Sequence, residues 1–65
     1  MLLRRIQVHL SHIKKNLMNR GLDEEHANKL LKAKILRYHI VYKPDLFLHY
    51  PPDYWASIIY REAKR

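Results

Sequence analysis

Apolar residues open this chain at helical spacing. Leu3, Ile6, Leu10, Ile13 and Leu17 follow one another at steps of three, four, three and four. That is one face of an α-helix, regular enough for a packing seam, and it predicts a first helix over residues 2–19. Arg4, Arg5, Ser11, His12 and Lys15 fall on the opposite side. No Asp or Glu precedes residue 23, so these cations have no i,i+4 partner on their own helix and stay available to something outside it.

Asn19-Arg20-Gly21 ends this helix. Gly21 suits the left-handed position after a helix C-terminus, and Arg20 suits the negative end of the helix dipole. Asp23 has the chemistry of an N-cap, with Glu24 and Glu25 in the first turn that follows. A second helix is predicted over residues 24–42. Ala27, Leu30, Leu31, Ile35, Tyr38 and Val41 share one of its sides, and Ala33, Leu36 and Ile40 mark another. A helix apolar on two sides touches two neighbours. The run Tyr38–Tyr42 is β-prone in composition, but the helical stripe passes through it and no second strand exists to pair with it.

Lys43 precedes Pro44 and is biased out of the helical region. Residues 43–52 then read as a connector, in which Asp45 caps a short turn through Leu46, Phe47 and Leu48. Tyr50-Pro51-Pro52-Asp53 is a stiff joint. Proline is tolerated in a first helical turn, so a third helix should begin at Pro52 or Asp53 and run over residues 53–64. Positive charge from Arg61, Lys64 and Arg65 suits its C-terminus. The expected fold is all-α, a single small domain over 1–65: an antiparallel helical hairpin, a Pro-punctuated connector and a short C-terminal helix.

Size and composition narrow the picture. A chain of 65 residues buries only about 60% of its unfolded surface and is marginally stable alone. It has no cysteine, which removes disulfides and thiolate zinc sites as staples. Oligomerisation or docking onto a larger partner is the remaining route, and the two-sided second helix points the same way. All seven aromatic residues lie after residue 37. Trp55 and Phe47 are expected in the core, with Trp55 anchoring the third helix on the second near Tyr38. Tyrosines combine an apolar body with a polar tip and favour interfaces. The expected partner-facing set is Leu36, Ile40, Tyr42, Tyr50 and Tyr60.

The net charge is +7, and residues 1–20 supply +5 of it. Such a field favours anionic partners: RNA, DNA or an acidic protein surface. The candidate anion-binding residues are Arg4, Arg5, Ser11, His12 and Lys15. A membrane is disfavoured as a direct partner, because no apolar run approaches the ~20 residues of a spanning helix and the first helix lacks Trp or Phe on its apolar face. The acid-free N-terminal twenty residues share the composition of a mitochondrial transit segment. An intracellular setting, cytoplasm or mitochondrial matrix, is expected, and secretion is not.

Other chemistry is not indicated. His9 and His12 sit three apart, a spacing that presents two imidazoles to one metal, but no further ligands are patterned to join them. Ser11 and Ser57 have no patterned base, and Gly21 is the only glycine, so no phosphate-binding glycine loop exists. The sequence predicts no enzyme, no cofactor and no metal. The expected function is that of a small basic interaction subunit within a larger protein or ribonucleoprotein assembly. The competing expectations are a free-standing dimeric nucleic-acid regulator and an inhibitor or adaptor of an acidic protein.

Overall fold

The computed structural model describes residues 2–63, apart from the side chains of Leu2, Lys34 and Ile35. The fold is all-α. Among the described residues five helices follow in order: α1 (Leu2–Asn19), α2 (Glu24–Leu31), α3 (Lys34–Tyr42), α4 (Pro44–His49) and α5 (Pro52–Ala63). Lys64 and Arg65, and Ile35 as a stripe residue, lie outside what is described.

The α1 seam becomes the spine of the core. Ile6, Ile13 and Leu17 are buried and Leu10 packs against them. Leu3 does not follow; it is 69% exposed. The C-terminus of α1 is a Schellman motif. The Leu22 N–H donates to the Leu17 carbonyl at 3.4 Å and the Gly21 N–H to the Met18 carbonyl at 3.0 Å, with Gly21 at φ 107°. Leu22 packs against the core that holds Leu17, the apolar contact that accompanies this motif. The chain turns back there, and α2 packs on α1 as a hairpin. Asp23 caps α2, its carboxylate accepting from the His26 N–H at 2.7 Å.

The second predicted helix is two helices. α2 ends at Leu31, Ala33 adopts an extended conformation (φ −60°, ψ 147°), and α3 starts at Lys34. Lys32 and Ala33 are good helix formers, so no local breaker is responsible. Packing geometry is. Ala27 and Leu36 are both buried in the same core, yet at 3.6 residues per turn nine positions would set them about 180° apart on one continuous helix. The break lets the α2 half of one stripe (Ala27, Leu30, Leu31) and the α3 half of the other (Leu36, Ile40) reach one core. It also turns the side of α3 assigned to the core outward, leaving Tyr38 51% and Val41 67% exposed.

Proline sets the remaining joints. Lys43, ahead of Pro44, closes α3 and opens α4 with φ −137° and ψ 59°. Tyr50, ahead of Pro51, is extended, as a pre-proline residue prefers, and Pro52 opens α5. α5 lies along α1 and buries Trp55, Ala56 and Ile59. Phe47 of α4 is fully buried beside them. Every helix thus contributes to one core, and none of the described buried residues is polar.

Candidate anion-binding face

α1 positions the basic residues. Its seam fixes which side faces the core, and the side beside Val8 and His12 runs past the joint between α4 and α5. Two adjoining clefts lie there. One, of about 470 Å³, is lined by Arg4, Arg5, Val8, His9, His12, Leu48 and Pro52. The next, of about 400 Å³, shares His12 and Pro52 and is lined further along α1 by Lys15, Asn16 and Asn19, with Pro51 and Asp53 opposite. Four of the five predicted anion-binding residues, Arg4, Arg5, His12 and Lys15, therefore border one trough. Ser11 is exposed and lines neither cleft.

The basic side chains divide into two groups. Lys14 donates to the Glu24 carboxylate at 3.0 Å and ties α1 to α2. Arg20 donates to Asp53 at 3.2 Å, with its guanidinium 5.8 Å from the centre of the Tyr60 ring. Both pairs join separate elements, and both are exposed enough to contribute little beyond orientation. Arg4, Arg5 and Lys15 make no ion pair with any described residue. The first turn of α1 carries no acidic residue, so Arg4 and Arg5 add to the positive end of the helix dipole instead of offsetting it.

His9 and His12 take different roles. His9 packs edge-on against Phe47, ring centres 4.9 Å apart, and its Nε2 is buried without a hydrogen-bond partner. Burial pulls its pKa below the ordinary value; the charge of His12 adds to this and the nearby backbone of Tyr50 opposes it. His12 is exposed at the meeting point of the two clefts. Among the described residues no three His, Asp or Glu side chains cluster as metal ligands.

The aromatic half is mostly structural. Trp55 is buried, donating its indole N–H to the Phe47 carbonyl at 2.8 Å. Its ring lies against Phe47 and His39, at 5.4 and 5.0 Å. Tyr38 is not its neighbour as expected; the break at Ala33 rotates His39 into that place. Tyr50 stacks on Tyr54 at 4.4 Å and meets Trp55 edge-on at 6.0 Å. Tyr50, Tyr60 and Ile40 are half-buried. Leu36, expected to face a partner, is 1% exposed and belongs to the core, because the break turns its stripe inward. Tyr42 is 71% exposed. Tyr38 and Val41 join it in an exposed patch with Arg37, around a dip of about 270 Å³. Sequence periodicity misses these two because it carries one helical phase through residue 33.

Among the described residues no helix is long and apolar enough to cross a membrane. Comparison with known proteins finds no matching family, no matching characterised protein and no matching solved structure.

Proposed function

We propose that this protein is a non-catalytic basic interaction subunit that holds nucleic-acid phosphates along α1 and a protein partner on α3. The observation that carries the reading is the alignment of Arg4, Arg5, His12 and Lys15 along one trough, with no ion pair to a described residue on either arginine or on Lys15. Phosphate contacts need several cations in a line. At 1.5 Å per residue, Arg5 to Lys15 spans about 15 Å, room for several phosphates. Among the described residues the only carboxylate bordering the trough is Asp53, and it is paired with Arg20. The exposed Tyr38, Val41 and Tyr42 supply the apolar and aromatic surface that a protein partner would cover.

The test is a salt titration of nucleic-acid binding with the Arg4→Gln, Arg5→Gln, Lys15→Gln triple variant. All three residues are exposed and lie off the seam, so the circular dichroism spectrum should not change. Affinity should fall, and the log–log salt slope should flatten by about 0.7–0.9 for each phosphate that is no longer neutralised. An unchanged slope at unchanged affinity would mean that the face is merely solvated.

A further inference from the structure

We infer that the cleft between Val8 on α1 and the Leu48–Pro52 joint holds one unstacked base of a single-stranded nucleic acid. The inference rests on the phosphate-binding reading and adds the strandedness of the ligand. A duplex offers phosphate ridges with its bases stacked inside. Cations on an open helix face would meet such ridges equally well. Here the cations line an open concavity of about 470 Å³. A duplex touching Arg4 and Arg5 would leave that concavity unfilled.

The lining suits a base. Val8 is 49% exposed although it lies beside two arginines, and Leu48 and Pro52 face it from α4 and α5. Together they give the cleft its apolar lining. The exposed imidazole of His12 adds a flat surface at one end. Stacking and apolar contact accept any base, because every base has a π-face. Phosphates on either side of the bound base would meet Arg4 and Arg5 at one end and Lys15, in the adjoining cleft, at the other. Charge complementarity selects this occupant over a second copy of the chain, which would bring another +7 to the same cleft.

The experiment is fluorescence anisotropy on the full chain with labelled single-stranded oligo-dT and oligo-U and with a duplex of equal length at matched salt. It is run on wild type, on Val8→Gln and on the triple Gln variant. Val8 is exposed and glutamine favours helix, so a melt of Val8→Gln should match wild type. Both single strands should bind more tightly than the duplex. Val8→Gln should weaken single-strand binding about five- to tenfold, the scale of removing the support of one base, with duplex binding and the salt slope unchanged. Duplex binding as tight as single-strand binding, or a Val8→Gln variant that binds single strands normally, overturns the base pocket while leaving the phosphate reading standing. Absence of salt-dependent binding to either form overturns the phosphate reading itself.

Discussion

The indole nitrogen of Trp55 donates to the main-chain carbonyl of Phe47 at 2.8 Å while the two rings pack at 5.4 Å. Phe47 sits in the last turn of α4, where carbonyls have no partner within the helix. One side chain therefore caps α4 and fills the core between α4 and α5. Trp55→Ala should cost about 3–5 kcal/mol from the vacated volume, enough to unfold so small a domain. Trp55→Phe keeps most of the packing and orphans the carbonyl, at about 1–3 kcal/mol. Urea denaturation followed by circular dichroism separates the two.

At Gly21 the backbone sits at φ 107° and an added Cβ would meet nothing within 4 Å. Gly21→Ala should therefore destabilise through backbone strain alone, by about 1–2 kcal/mol. A loss well below that in chemical denaturation would mean that the turn relaxes to another conformation.

The two caps of the broken helix differ. Asp23 binds the His26 N–H, whereas Ala33 at the start of α3 offers no side-chain acceptor. Asp23→Ala should cost about 1 kcal/mol, and Ala33→Ser should gain a similar amount. Thermal melts of the two variants should shift in opposite directions.

Burial holds His9 below its ordinary pKa of 6.5. The unfolded chain therefore takes up a proton at a pH where the folded chain does not. This contribution is fully present above about pH 6.5 and is lost as the pH falls from there through the folded pKa. His9→Gln should remove that part of the acid sensitivity. Denaturation midpoints of wild type and variant, compared between neutrality and about pH 5, should converge on acidification. Parallel curves would show that His9 is not responsible.

Tyr42 and Tyr50 should behave differently when truncated. Tyr42→Ala removes a ring that is 71% exposed and touches only the exposed Tyr38 ring, at 5.1 Å, among the described ring contacts; it should lower the melt less than Tyr50→Ala does while weakening capture of a protein partner after nuclease treatment. Tyr50→Ala breaks the stack on Tyr54 and the edge contact to Trp55. It should lower stability measurably, on the order of 1 kcal/mol. An unchanged melt for Tyr50→Ala would assign that ring to the surface.

Local signals in the sequence are enough for α1, its glycine stop, the Asp23 cap and the proline joints, because each rests on residues near one another in the chain. The acid-free cation face is readable for the same reason. The break at Lys32–Ala33 is not, since nothing local marks it; it answers to the need of Ala27 and Leu36 to share a core. That one phase error places Leu36 outward and Tyr38 inward. The cleft is equally hidden, because its far wall, Leu48 and Pro52, arrives about forty residues after Val8.

The bend at Ala33 also bears on how the chain behaves before it is folded. Helical turns form within about a microsecond, and residues 24–42 carry no local signal to bend. Grown as one straight helix, this segment would carry apolar side chains on opposite flanks. Such a helix is sticky on both sides. The elbow brings Ala27 from one flank and Leu36 from the other into one interior, and so hides apolar surface that a straight helix would offer to a neighbouring chain.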